Sequence, residues 1–259
     1  MKNSLGNRVK IQMGLETPDE RKKRVAREKK ENAKTQKYFD AIHNKSEPVK
    51  YVQIPLEWMK SQVWKEGKAY FRKENRKFII DDNNREFFDV ICRYFADDYS
   101  FEEKVQNGEL RKGLLIYGNC GTGKSSIFDI IQNISRKHNL IQLWFSNLSV
   151  HQVVNEFNKE NKQDKLIGAE SVIEKYSKGK VHFDDLGTEK EVQAWGIKEN
   201  LFDRLLQIRY NHFKQKGTKT FVTTNLSIRE LENRYCKQVK DRLYQMFNFI
   251  PLNGESRRF

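Results

Sequence analysis

The string Gly118-Asn119-Cys120-Gly121-Thr122-Gly123-Lys124-Ser125 constrains this chain more than any other feature of it. It fits the pattern GxxxxGK[ST], and its flanks are the confirming ones: the apolar run Gly113–Tyr117 enters it and the amphipathic stretch Ser125–Lys137 leaves it. The glycines let successive backbone N–H groups turn inward around phosphate oxygens, an approach that side chains would obstruct. The lysine then reaches the outer phosphates, the Ser125 hydroxyl is offered to Mg²⁺, and the helix N-terminus favours the anion. The expected phosphate-binding set is Gly118, Asn119, Cys120, Gly121, Thr122, Gly123, Lys124, Ser125 and Ser126.

The rest of the C-terminal two-thirds agrees with this. Strands are expected at Gly113–Tyr117, Leu140–Phe145, Val181–Asp184, Thr220–Thr224 and Phe247–Leu252. Helices are expected between them, at Ser125–Lys137, Ser149–Asn158, Ala169–Ser177 and Glu199–Lys216, the last stopped by Gly217. Ser227 and Glu230 form a capping box that opens a further short helix. Strands alternating with helices imply parallel pairing and an α/β sandwich.

The N-terminal part has a different composition. Residues 1–50 are apolar-poor and carry a run of basic residues from Arg21 to Lys37. Thr17, Pro18 and Glu20 read as the start of a helix extending to about Phe39, with no apolar stripe to bury. A basic arm, helical or partly disordered, is the expectation there. Residues 51–82 interleave Trp58, Trp64, Tyr70, Phe71 and Phe78 with Lys and Arg. They read as a small aromatic-rich subdomain or linker, its rings packed more than free to stack on bases. Asn83–Tyr99 has the spacing of an amphipathic helix and opens the third division, 83–259.

Over 259 residues, 49 Lys and Arg against 35 Asp and Glu leave a net charge of +14, which points to a polyanionic partner such as nucleic acid. Three widely spaced cysteines give neither a disulfide framework nor a zinc site. No apolar run reaches the length a membrane helix needs, and the first ten residues lack a hydrophobic signal region. The expected setting is cytoplasmic and reducing, with no membrane contact.

Two acidic residues close the strand Val181–Asp184. Asp184 stands where a carboxylate helps to hold Mg²⁺, and Asp185 where a general base for an attacking water belongs. Asp184-Asp185-Leu186-Gly187 also fits the DxxG of GTPases, and Asn161-Lys162-Gln163-Asp164 fits their guanine-selective NKxD. In a GTPase the second string follows the first; here it precedes it, so ATP is expected and not GTP. Asn225, at the end of the strand Thr220–Thr224, is placed to orient a water or touch a γ-phosphate. Arg242 lies on a short helix further on.

Taken together, GNCGTGKSS, HFDDLGTE, LLQIRY, FVTTNLS and YCKQVKDRLYQMFNFIPLNGESRR resemble AAA+ ATPases of the bacterial replicative-helicase loader group, DnaC-like and close to the IstB transposition ATPases. The resemblance runs from about Phe78 to the C-terminus. It implies a three-layer P-loop NTPase sandwich with a five-stranded parallel sheet, in which the Asn225 strand lies between the P-loop strand and the Asp184 strand. It also implies ATP and Mg²⁺ as cofactors, Asn225 as sensor 1, and Arg242 as an arginine finger acting on a neighbour's ATP, with Arg209 facing the same subunit boundary. The implied activity is a slow ATPase that assembles with itself and with a replicative helicase and controls helicase assembly on single-stranded DNA. The alternatives are an IstB-like regulator acting with a transposase, and an adaptor that binds ATP but scarcely hydrolyses it. Two residues depart from the pattern: Asp185 stands where many AAA+ proteins have Glu, and Gln238 where relatives often have a second Arg. Arg257 and Arg258 are the candidates for a sensor-2 arginine.

Overall fold

The computed structural model describes residues 17–23, 25, 26, 29, 51–161, 171–194 and 197–257. The chain divides into two compact units, Met1–Lys50 and Tyr51–Phe259. In the first, residues 18–23 are helical. Their start is the expected capping box: the Thr17 N–H donates to Glu20 Oε2 at 3.0 Å, and the Glu20 N–H donates to Thr17 Oγ1 at 3.3 Å. The remainder of the expected arm helix, to Phe39, lies outside the described residues.

The second unit is built on a five-stranded parallel sheet. Its strands are β1 (Gly113–Tyr117), β2 (Ser146–Ser149), β3 (Val181–Asp184), β6 (Thr220–Thr224) and β7 (Phe247–Pro251), in the order β2-β3-β6-β1-β7. A small antiparallel pair, β4 (Val192–Ala194) with β5 (Ile197–Glu199), stands apart from it. The helices are α1 (Leu56–Lys73), α2 (Arg85–Ala96), α3 (Ser100–Lys104), α4 (Lys124–Lys137), α5 (Val150–Glu160), α6 (Val172–Ser177), α7 (Leu201–Lys216), α8 (Ile228–Arg234) and α9 (Lys237–Met246).

Successive strand residues face opposite layers. Leu114, Ile116 and Phe221 join a core with α1, α2 and α4; Leu115, Val181, Phe183 and Val222 join a second core with α5 to α9. This is the three-layer α/β sandwich, and β6 lies between β1 and β3 as the resemblance implied.

One strand differs from expectation. The run Leu140–Phe145 is not a strand: residues Ile141–Leu143 form a 3₁₀ turn, and β2 follows at Ser146–Ser149. Leu143 and Phe145 are apolar because they plug the core at the end of α4, not because they pair. The paired segment is polar because β2 is an edge strand whose Asn147 is taken up by side-chain hydrogen bonds. Sequence analysis also passes over the β4–β5 pair, since three-residue strands carry almost no periodicity.

Residues 51–82 lie within the second unit, and α1 packs against α2 and α4. Met59 and Val63 are buried in the first core, and Trp58, Tyr70, Phe71 and Phe78 pack against it. Trp64 keeps 39% of its surface exposed, with the Lys68 amine 4.2 Å from its ring centroid.

Candidate active site

β1 ends at Tyr117 and the chain loops through Gly118–Gly123 into α4. Gly121 and Gly123 have φ of 82° and 98°, a region that L side chains rarely adopt, and a Cβ on Gly121 would also strike Ser256. The loop can therefore present its N–H groups only because these positions are glycine. Gly123 is the N-cap of α4, so the positive end of that helix faces the loop.

The cleft above the loop has a volume of about 1070 Å³ and is lined by Asn119 to Ser126, Asp184, Asp185 and Asn225. Three neighbouring strands bring these side chains together. The parallel register of β3 with β6 and of β6 with β1 carries all three strand ends to the same edge of the sheet. Ligands of open α/β sheets bind outside that edge, at the carboxyl ends of the strands.

Ser125 Oγ donates to Asp184 Oδ1 at 2.5 Å, and Thr223 Oγ1 donates to the same oxygen. Lys124, only 5% exposed, donates its amine to the Gly118 and Asn119 carbonyls at 2.9 and 2.7 Å and to Asn225 Oδ1 at 2.7 Å. The Asn225 amide in turn donates to Asp185 Oδ1 at 3.0 Å.

Asp185 has φ of 59°, and its N–H meets Thr223 Oγ1 at 3.3 Å. Burial raises its carboxyl above the ordinary aspartate range, and the neighbouring Asp184 charge raises it further; Lys124 and the Asn225 hydrogen bond pull the other way. A carboxylate raised in this way is a better proton acceptor than a free aspartate.

The donor set suits a hard divalent cation. A hydroxyl and a carboxylate in contact offer oxygen ligands of the kind Mg²⁺ takes beside phosphate oxygens. The glycine cradle and the buried lysine suit a polyphosphate.

Several expectations separate here. Asn119 to Ser126, Asp184, Asp185 and Asn225 line one cleft, while Gly118 sits just behind it against Leu252. Arg242 does not line it. Arg242 lies on α9 with its guanidinium 4.9 Å from the Tyr210 ring, in a groove shared with Arg204 and Lys198.

Arg209 does not face a boundary. It is fully buried and donates to Thr220 Oγ1 and to the carbonyls of Tyr176, Gly179 and Lys219 at 2.7–3.0 Å, so it ties α7 to the starts of β3 and β6. The LLQIRY string reads the same for an exposed and a buried arginine, since an α-helix offers both faces every turn. Glu189, the other acid near Asp185, is also structural: it is 2% exposed, accepts from Tyr235 Oη at 2.5 Å and from the Gly187 N–H at 2.7 Å, and pairs with Arg234. Of the NKxD string, Asn161 is the C-cap of α5, and Lys162 to Asp164 lie outside the described residues.

Sequence analysis named one residue of the cleft's far wall, Arg257 as a sensor-2 candidate, and missed what holds it there. Asp81 and Arg257 pair on that wall at 2.8 Å, and the Arg257 N–H donates to the Gly121 carbonyl at 2.9 Å. These residues are 176 positions apart, and no local pattern announces the contact. Arg258 lies outside the described residues. Thr223 is one of three threonines in β6, all of them buried, and its hydroxyl is the one turned to Asp184.

A five-stranded parallel sheet, a glycine loop opening a helix from β1 and an acidic tip on β3 define a P-loop α/β protein. No family model matches the sequence, and no curated protein matches it. Among solved structures the chain is similar to a protein from Streptococcus pyogenes serotype M3 assigned as a primosome component, with 21% identity and a TM-score of 0.49 over 70% of this chain and 85% of that one. It is similar to DnaI, at 21% identity and a TM-score of 0.48, over 70% of this chain and 87% of that one. It is also similar to AMPPCP-bound DnaA from Aquifex aeolicus, at 16% identity and a TM-score of 0.46, over 70% of this chain and 50% of that one. Among the described residues no helix is long and apolar enough to cross a membrane.

Proposed function

We propose that this chain is an ATP-dependent helicase loader. In this reading it binds ATP–Mg²⁺ in the cleft, assembles with copies of itself and with a replicative helicase, and uses slow hydrolysis to release the helicase onto single-stranded DNA. The observation that carries the reading is the convergence of Lys124, Ser125, Asp184, Asp185 and Asn225 at one sheet edge through direct hydrogen bonds. The motifs that resemble the loader group, and the net charge of +14, support the choice of partners.

Each residue has a task in this scheme. The loop N–H groups and Lys124 hold the phosphates, the amine exchanging its loop carbonyls for phosphate oxygens. Ser125 and Asp184 hold the metal, which when bound neutralises charge on the outer phosphates. Asp185 accepts the proton of the attacking water, and Asn225 orients that water while linking Asp185 to Lys124. Arg242, outside the cleft of its own chain, serves the ATP of a neighbouring copy. Residues 1–50 act as a basic docking arm, 51–82 join it to the ATPase, and 83–259 are the AAA+ domain.

A second reading is a switch that binds ATP and scarcely hydrolyses it. It is favoured by the short Asp185 side chain, held to Asn225 at 3.0 Å.

The test mixes the full chain with the replicative helicase of its host and with a transposase, with and without ATP, and reads complex formation by size-exclusion chromatography. The loader reading expects an ATP-dependent complex with the helicase that dissolves on single-stranded DNA. Capture of the transposase alone would overturn it.

A further inference from the structure

Behind the Ser125–Asp184 pair runs a second, half-buried set of polar side chains, with His182 fully buried at its end, that the proposed ATPase chemistry does not use. Tyr70 of α1 donates its hydroxyl to Asp129 Oδ2 at 2.9 Å. Asn147 of β2 donates its amide to Asp129 Oδ1 at 2.6 Å. The Asn147 oxygen faces His182 Nδ1 of β3 at 2.7 Å, and the His182 ring lies on Phe128, centroids 3.9 Å apart and planes 19° off parallel. Four elements thus contribute to one chain of hydrogen bonds.

Its direction is fixed by chemistry. Each carboxylate oxygen of Asp129 accepts from one donor, Oδ2 from Tyr70 and Oδ1 from Asn147. The Asn147 NH₂ is committed to Asp129, so only its oxygen is left for the imidazole, and His182 carries its hydrogen on Nδ1.

The placement matters for the cleft. Asp129 follows Ser125 by one helical turn on α4, so the two share a face; His182 precedes Asp184 by two positions on β3, so these share a face as well. Burial raises the Asp129 carboxyl above its ordinary range, and the charge of Asp184 raises it further. Two carboxylates that repel each other beside a hydroxyl make a place where a divalent cation relieves the repulsion.

We infer that Asp129, held by Tyr70 and Asn147, is a positioning residue for the metal: it adds negative charge behind Ser125 and Asp184 and so sets how tightly Mg²⁺ is held there. The inference rests on the ATP–Mg²⁺ reading of the cleft.

The test titrates a fluorescent ATP analogue onto the full chain, first in EDTA and then across a Mg²⁺ series, for wild type, Asp129→Asn and Tyr70→Phe. Asp129→Asn keeps shape and removes charge. Its nucleotide affinity in EDTA should match wild type, while the Mg²⁺ concentration for half of the metal effect rises about tenfold, the lower end of what outer ligands contribute. Tyr70→Phe keeps the charge and loses one donor, so its midpoint should shift in the same direction by less. A wild-type midpoint in Asp129→Asn overturns the inference alone, as does an equal loss in EDTA and in Mg²⁺. Should Asp129→Asn fail to fold, an unchanged midpoint in Tyr70→Phe overturns it. A wild-type chain that binds no nucleotide at all overturns the ATP reading itself.

Discussion

Lys124 Nζ donates to Asn225 Oδ1 at 2.7 Å, although the two residues lie 101 positions apart, one opening α4 and the other following β6. Asn225 in turn reaches Asp185, so one amide joins the glycine-loop lysine to the candidate base. The link exists because β6 is inserted between β1 and β3, which puts its tip at the midpoint of the cleft.

Asn225→Ala should leave ATP binding nearly intact and slow hydrolysis. Loss of one pre-placed polar group at the reacting centre costs about 10²-fold or more in rate. The check is a single-turnover ATPase assay beside an ATP-binding titration. Equal losses in both would assign Asn225 to binding alone.

Asp185→Asn should reduce hydrolysis by about 10²–10⁴-fold while binding survives, as expected of a general base. Glu189→Gln tests the neighbouring acid. Because Glu189 is buried against Tyr235 and Arg234, that change should lower the melting temperature more than any ATP turnover by the folded protein. Fast hydrolysis by Asp185→Asn would place the base elsewhere.

How much of this was legible in the sequence follows from the range of the interactions. β1, β3 and β6 were readable because each is a short run of mainly apolar or β-branched residues with a distinctive residue at its end. The glycine loop was readable because its conformation demands glycine. β2 was misplaced because an edge strand does not need to be apolar, while the adjoining Leu143 and Phe145 are apolar for the core's sake. Arg209 was misassigned because burial of a guanidinium depends on three backbone carbonyls supplied by other elements. The Asp81–Arg257 wall and the Tyr70–Asp129–Asn147 set bring together residues from separate elements, which no local pattern encodes.

Arg209→Met should destabilise the protein by roughly 3 kcal/mol or more, because it strands three carbonyls and a hydroxyl that now have donors. Arg209→Lys should recover little, since an ammonium does not reproduce the guanidinium fork. Chemical denaturation measures both. A variant as stable as wild type but unable to self-associate would restore a boundary role.

Lys219→Met should stabilise the protein at neutral pH. Burial pushes the Lys219 amine down to about 8, with Lys180 adding to the shift and Asp97 opposing it. Between about pH 8 and the unfolded value near 10.4 the unfolded chain holds a proton that the folded chain has lost, so stability rises with pH through that window. Below it both states are charged and the folded state bears the whole penalty, on the order of 1–3 kcal/mol. The gain from Lys219→Met should therefore be largest near pH 7 and fade as the pH approaches 10. A gain that does not vary with pH would mean packing, not charge, decides this site.

The most direct test of the account is the binding of fluorescent ATP and GTP, each with Mg²⁺, to wild type and to Lys124→Ala. The account predicts that wild type binds ATP in clear preference to GTP, and that Lys124→Ala loses most of that binding while remaining folded. Equal affinity for the two nucleotides, or binding that survives the loss of Lys124, would contradict it.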